Sequence, residues 1–262
     1  MTPRALLLAL LFAAGTTLVP AQDQLSALHG HCSLAPATDP GKVRFELEEG
    51  CDADRNSCHN HDSDDMPLAN FSGITLADFQ HEGAHVDAVL AAEAGKLTCS
   101  GVVHDLTLQG DSTFAPNPAF VERMGQMGFT DLDSHKLEAY TLFHIEAAWV
   151  QSLQAAGVTE MTSSRILSLR IFKVDAAYVR EMDALGYPHL PAGKLVAFKV
   201  QGVNPDEVRQ YRALGYQPDA NQLIQMRLFK ITPEFIQHMQ ARGLGNLTIS
   251  KLVQIRIFKL AD

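Results

Sequence analysis

A glycine returns at a nearly fixed interval through the second half of the chain, with spacings of 29, 29, 29 and 28 residues: Gly128, Gly157, Gly186, Gly215 and Gly243. A series of aliphatic residues keeps the same interval, with one residue deleted in the fourth copy: Leu137, Ile166, Leu195, Leu223 and Leu252. A single short unit cannot bury its own apolar face, so such units must stack on one another. The sequence therefore predicts five tandem repeats, arranged as a short α-solenoid or a closed helical bundle.

Each repeat begins with signals for a helix. Asn117-Pro118, Asn204-Pro205 and Thr232-Pro233 place a capping side chain before a proline, which is favoured at the first helical position. An apolar stripe at helical spacing follows, and the periodic glycine then favours a helix end. We expect one helix in the first part of every repeat.

The second part of each repeat is ambiguous. It begins near Asp133, Thr162, Asp219 or Thr248, all of which are capping residues, so a second helix is predicted. The alternative is a strand, because the last copy alternates apolar and polar residues over positions 253–257.

The N-terminus resembles an export signal. Residues 5–19 form an apolar run shorter than the roughly 20 residues that span a bilayer, and Val19-Pro20-Ala21 suits signal peptidase. We therefore expect residues 1–21 to be removed and the protein to be periplasmic or secreted, without a membrane span. A formal net charge of -9 argues against nucleic acid as a partner.

All four cysteines lie before the repeats: Cys32, Cys51, Cys58 and Cys99. An even number in an exported chain suggests two disulfides, and four cysteines allow three pairings. Cys51 with Cys58 and Cys32 with Cys99 is the simplest pairing, but the sequence does not choose among them. The alternative is a metal cluster that combines the cysteines with nearby histidines: His29, His31, His59 and His61.

The region between the signal and the repeats predicts a small antiparallel sheet. Val43, Phe45 and Leu47 alternate with charged residues, as in a half-buried strand. Residues 52–65 are acidic and lack apolar periodicity, so a solvated loop is expected there. The predicted fold class is α+β, with a disulfide-stapled β domain at residues 22–113 and helical repeats at 114–262.

Several short segments carry a resemblance to a known family: Gly73-Ile74-Thr75-Leu76, Gly95-Lys96-Leu97-Thr98-Cys99, Phe114-Ala115-Pro116-Asn117-Pro118 and Met182-Asp183-Ala184-Leu185-Gly186-Tyr187. They are similar to a bacterial extracytoplasmic repeat region that occurs alone or behind the membrane peptidase domain of β-lactam-sensor-like regulators. The resemblance covers nearly the whole mature chain. The membrane peptidase domain of those regulators has no counterpart in this sequence. It implies an envelope-facing interaction or sensing module, and no chemistry is carried over with it.

His81-Glu82-Gly83-Ala84-His85 is an H-E-x-x-H sequence. In zinc peptidases this spacing places two imidazoles on one helix face, with the glutamate as general base. Gly83 weakens such a helix, and the residues after His85 alternate like a strand. An exposed polar turn is therefore favoured over a zinc site formed by His81 and His85.

The second segments carry a row of basic residues, which we call the basic ladder: Arg170, Lys173, Lys199, Arg227, Lys230, Arg256 and Lys259. Stacked helical repeats would align these side chains into a positive strip on an acidic protein. The alternative is that they pair with acidic residues of neighbouring helices, such as Glu181, Glu207 and Glu234.

The sequence favours a non-enzymatic binding module, with no catalytic residues and no cofactor assigned. The expected partner is a protein or an anionic envelope polymer that binds the basic ladder. The alternatives are a zinc-dependent peptidase that uses the H-E-x-x-H sequence and a passive structural protein of the envelope.

Overall fold

The computed structural model describes residues 25–50 and 60–258. In these residues, seven strands form one antiparallel sheet in the order β3-β2-β1-β7-β6-β5-β4. The strands are β1 (Leu28–Pro36), β2 (Lys42–Glu49), β3 (Asn60–Pro67), β4 (Phe71–Ser72), β5 (His85–Ala92), β6 (Gly95–His104) and β7 (Thr107–Pro116). Helices follow the sheet, which confirms the predicted α+β class.

The sheet curls around strand β7. Cys32 on β1 and Cys99 on β6 form a disulfide with a Cα–Cα distance of 5.8 Å, although β7 lies between these strands. In a flat sheet, two strands that flank a common neighbour lie about 9.6 Å apart. Gly101 and Gly110 pair on β6 and β7, where a Cβ on either would lie 2.0 Å from a backbone oxygen of the other strand. Glycine therefore permits the close approach that accompanies the curl.

The prediction of a solvated loop at residues 52–65 is wrong for residues 60–65, the part that the structure describes. From Asn60 onward the backbone forms strand β3, which pairs with β2 along its length. Asp, Asn and Ser have low strand propensity, but β2 offers hydrogen bonds to one side of this backbone, and an edge strand tolerates polar side chains.

Both parts of every repeat are helical, so the strand alternative for the second part is wrong. The described helices are α1 (Pro118–Gln126), α2 (Ser134–Leu142), α3 (Ala147–Ala155), α4 (Ser163–Ile171), α5 (Ala176–Ala184), α6 (Ala192–Gln201), α7 (Pro205–Ala213), α8 (Ala220–Leu228), α9 (Pro233–Ala241) and α10 (Ile249–Ile257). We call the second helix of each repeat an even helix and the first an odd helix.

The predicted capping residues explain where the helices begin. The side chains of Asn117, Asn204 and Thr232 each accept a hydrogen bond from a backbone N–H in the first turn of α1, α7 and α9. Four even helices are capped in the same way, by Asp133, Thr162, Asp219 and Thr248. The repeating glycines follow the odd helices with positive φ, as a helix-ending residue in the left-handed region requires.

The helices stack in two layers. Each even helix packs on the next even helix, and each odd helix packs on the next odd helix, from the first repeat to the last. This neighbour pattern is that of a solenoid. At the start of the even layer, α2 also contacts β5, β6 and β7, and one buried cluster runs from the sheet into the first repeat. The sheet and the first repeat therefore share a core.

Candidate binding surface

Three arginines of the basic ladder link consecutive repeats. Each lies near the end of an even helix and donates a hydrogen bond to a backbone carbonyl at, or just beyond, the end of the preceding even helix. The three bonds are Arg170 Nε to Phe143 O (2.9 Å), Arg227 Nε to Gln201 O (3.0 Å) and Arg256 Nη2 to Lys230 O (3.3 Å). Carbonyls at a helix C-terminus lack intrahelical partners and carry partial negative charge, so a cation stabilises them.

The same side chains also contact the odd helix of their own repeat. In three repeats the cation lies over an aromatic ring: Arg170 over Trp149 (5.5 Å to the centroid), Lys199 over Tyr178 (4.0 Å) and Arg256 over Phe235 (3.9 Å). In the fourth repeat Glu207 replaces the ring, and Arg227 Nη1 donates to both of its carboxylate oxygens, at 3.0 and 2.8 Å. These four residues therefore contribute to packing between helices.

Two further lysines of the basic ladder have surroundings that differ from those of these four residues. Lys173 and Lys230 follow α4 and α8, where both have positive φ and exposed side chains. Within residues 25–50 and 60–258, neither ammonium group has an ion-pair partner. Lys259 lies outside the described residues. Two lysines of the ladder thus remain available for a partner.

An apolar row accompanies these lysines and was missed by the sequence analysis. It consists of the exposed side chains at or near the ends of the even helices: Ile171, Val200, Leu228 and Ile257, which are 43%, 53%, 58% and 50% exposed. Because consecutive even helices pack on one another, these equivalent positions follow one another along the solenoid. Ile257 is one of the apolar residues that made the last segment resemble a strand, and its exposure shows that this alternation did not come from burial alone.

The row begins at an apolar groove between the sheet and the first even helices. The groove is lined mainly by Phe45, Met66, Leu142, Phe143, Leu167 and Ile171. Met66 belongs to β3, which lies at the edge of the described sheet. An edge strand presents unpaired N–H and C=O groups, which an extended peptide can join. The groove therefore offers apolar contacts and lies beside a strand at the edge of the described sheet.

The H-E-x-x-H residues do not lie on a helix. His81 follows a 3-10 turn at Asp78–Gln80, Gly83 has φ of +77°, and His85 is the first residue of β5. Glu82 instead contacts His104 Nδ1 and accepts a hydrogen bond from the backbone of Asp105. The contact lowers the pKa of Glu82 and raises that of His104. The shared helix face required by the zinc peptidase hypothesis is absent from this described segment.

The hypothesis of a metal cluster formed by cysteines and histidines is weakened, because Cys32 and Cys99 are not free thiols. Cys32 is bonded to Cys99, as in the simplest pairing, and a disulfide sulfur is not a thiolate ligand. The other expected pair, Cys51 with Cys58, lies outside the described residues, as does His59. The disulfide fits a protein that folds in an oxidising compartment.

Comparisons with known proteins give no assignment: no family model, curated protein or solved structure matches the chain. Among the described helices, none has the length and apolar content needed to cross a membrane.

Proposed function

We propose that this protein is an exported, non-enzymatic interaction or sensing module that binds an extended, acidic segment of a partner protein. The observation that carries the proposal is the apolar row, which leads from the groove beside β3 along the ends of the even helices. Large apolar side chains exposed at equivalent positions of consecutive, packed helices are the kind of surface that protein interaction sites use.

Two features favour an extended acidic segment as the occupant. Lys173 and Lys230 lie directly beyond α4 and α8, close in sequence to Ile171 and Leu228 of the row. Carboxylates on the partner would complement these lysines, while its aliphatic side chains would cover the row. A purely anionic polymer would use the lysines but leave the apolar row exposed, so the protein partner accounts for more of the surface.

A displayed library of random peptides tests this proposal with a defined probe. We expect selection against the protein to enrich peptides that combine acidic and aliphatic residues. Leu228→Gln with Ile257→Gln should weaken their binding about 10-fold or more, since each change removes an exposed side chain whose burial is worth about 1.5 kcal/mol or more. Both residues are at least half exposed, so folding should be retained.

The matched control is Leu76→Gln with Val102→Gln, which alters two exposed apolar residues in the sheet region. Binding by this control should equal that of the unmodified protein. Lys173→Gln with Lys230→Gln should reduce both the affinity and its salt dependence. Failure to enrich any peptide, or equal binding by the row variant and its control, would contradict the proposal. Binding of polyglutamate that depends on the lysines and not on the row would instead favour an anionic polymer.

A further inference from the structure

We propose that Glu49, His135 and Glu138 form a binding site for a divalent transition-metal ion of the Zn²⁺ class. Each residue offers one ligand atom, and these atoms all lie within 4.8 Å of one another. Tetrahedral zinc sites with three protein ligands use this number of nitrogen and oxygen donors and leave one position for water. The site joins the end of β2 to the start of α2 and lies apart from the proposed binding row.

The fold explains why these three residues converge. Glu49 continues the inward-facing series of β2 that includes Val43, Phe45 and Leu47, so its side chain lies on the buried face of the strand. His135 and Glu138 are three positions apart on α2, and residues at this spacing share a helix face. The sequence predicts this strand from Val43, Phe45 and Leu47 and this helix from Asp133, but Glu49 is a charged residue at the next inward position and was not among the predicted site residues.

The burial of the carboxylates is the first argument for a cation. Glu49 is 6% exposed and Glu138 is 2% exposed, whereas the side chain of His135 is 61% exposed. Burying a carboxylate costs free energy unless an opposite charge or hydrogen bonds compensate for the lost water. An exposed imidazole beside two buried carboxylates also leaves a route from solvent to the site.

The hydrogen bonding of Glu49 gives a second, independent argument. Its Oε2 atom is buried and accepts no hydrogen bond from any described residue. The one ion pair of this atom in the described chain joins it to His135 Nδ1, at 3.1 Å. A divalent ion held among the three ligand atoms would attract the negative charge of Glu49 and supply a partner for this carboxylate. An ion held by this cluster would therefore lie beside a carboxylate that has a buried oxygen without a hydrogen bond.

The donor set indicates the kind of ion. Imidazole nitrogen is a good ligand for Zn²⁺ and related transition metals, whereas Mg²⁺ and Ca²⁺ prefer oxygen ligands and six or more of them. One histidine and two carboxylates therefore favour Zn²⁺ over the alkaline-earth ions. Bound metal would also stabilise the contact between the sheet and the first repeat.

A second cluster in the described chain provides a matched control. Glu82, His104 and Asp105 also bring three potential ligand atoms within 4.8 Å, but all three residues are exposed. Their polar atoms are already engaged with one another, since Glu82 contacts both His104 and the backbone of Asp105. Water competes for an ion at this exposed cluster, so only adventitious binding is expected there.

The experiment titrates Zn²⁺ into full-length protein that has first been freed of metal with a chelator. Binding is measured by competition with a fluorescent zinc indicator, and His135→Ala is compared with His104→Ala. We expect one Zn²⁺ per chain to bind at least about 10-fold more weakly to His135→Ala, while His104→Ala behaves like the unmodified protein. Both histidines are exposed, so neither change should prevent folding.

Thermal unfolding gives a second readout. Zn²⁺ should raise the melting temperature of the unmodified protein and of His104→Ala, because an ion that binds only the folded state stabilises it, but Mg²⁺ should not. His135→Ala should show a much smaller rise. Equal Zn²⁺ affinity in both variants, or no rise in the unmodified protein, would overturn the proposal and leave Glu49 and His135 as a simple ion pair.

Discussion

Replacing Cys32 and Cys99 together by serine is expected to lower the free energy of unfolding of the sheet by about 4 kcal/mol. The bond closes a loop of 67 residues, and its removal gives the unfolded chain many more conformations. It also joins β1 to β6 across β7, so its loss removes a covalent constraint on the curl of the sheet. Because the sheet and the first repeat share a core, denaturant unfolding of that repeat should shift to lower concentration as well.

Reduction provides the control for this prediction. The double variant lacks the bond, so adding a reductant should shift its unfolding much less than that of the unmodified protein. This comparison separates the Cys32–Cys99 bond from any other disulfide in the chain. The later repeats have their own buried cluster and should retain their helical circular dichroism when the sheet unfolds. Loss of the whole helical signal together with the sheet would contradict this separation.

The second large effect concerns the carboxylate of the fourth repeat. Arg227→Met should lower the free energy of unfolding by about 3 kcal/mol, because it leaves Glu207 buried without its cation. The side chain of Glu207 is 10% exposed, and within the described residues its remaining donor would be the Tyr211 hydroxyl, whose single hydrogen also lies within reach of Ile231 O. We place the effect at the lower end of the range for buried pairs because the side chain of Arg227 is 32% exposed.

A second substitution should rescue this loss. Adding Glu207→Phe to Arg227→Met restores the ring found at the equivalent position of the fifth repeat, Phe235, and removes the uncompensated charge. We expect the double variant to lie within about 1 kcal/mol of the unmodified protein, as found when buried ion pairs are replaced by apolar residues. Denaturant unfolding measures the free energy of unfolding of both variants. If the double variant is as unstable as Arg227→Met alone, the uncompensated charge of Glu207 is not the cause of the lost stability.

Arg256→Met is the matched control, because Arg256 occupies the equivalent place in the fifth repeat but lies over Phe235. Its removal costs a cation–π contact and one hydrogen bond, so we expect a loss of about 1 to 2 kcal/mol. An equally large loss in both single variants would indicate that the link to the preceding helix, and not the charge of Glu207, dominates.

The repeat register and helix starts were predictable because they depend on local chemistry. A capping side chain such as Asp133 or Thr248 acts within three residues, and the glycine after an odd helix adopts a conformation that it favours in any context. The period then specifies which positions are equivalent. For these reasons the sequence alone predicts stacked repeats, whereas the choice of a solenoid over a closed bundle came from the packing of consecutive helices.

The features that were missed depend on contacts between distant segments. Strand β3 forms from polar residues because β2 offers it hydrogen bonds, which no local propensity reports. Arg227 and Arg170 look alike in sequence, yet one pairs with a carboxylate and the other with an indole ring. The groove beside β3 also requires the sheet and the even helices to meet, so its residues share no sequence motif.

The links between repeats also differ from the pairing of β1 with β7 in the length of chain that they close. Those made by Arg170, Arg227 and Arg256 join residues 27, 26 and 26 positions apart, whereas β1 pairs Cys32 with Gly110. Short loops cost less entropy to close, and proteins with local contacts fold faster. The consequence is kinetic: the solenoid should form before β1 closes onto β7, so refolding followed by fluorescence of the single Trp149 should be faster than recovery of the complete strand signal. A chain caught between these two steps would carry ordered repeats beside an open edge of unpaired strands, the state in which it is most exposed to aggregation.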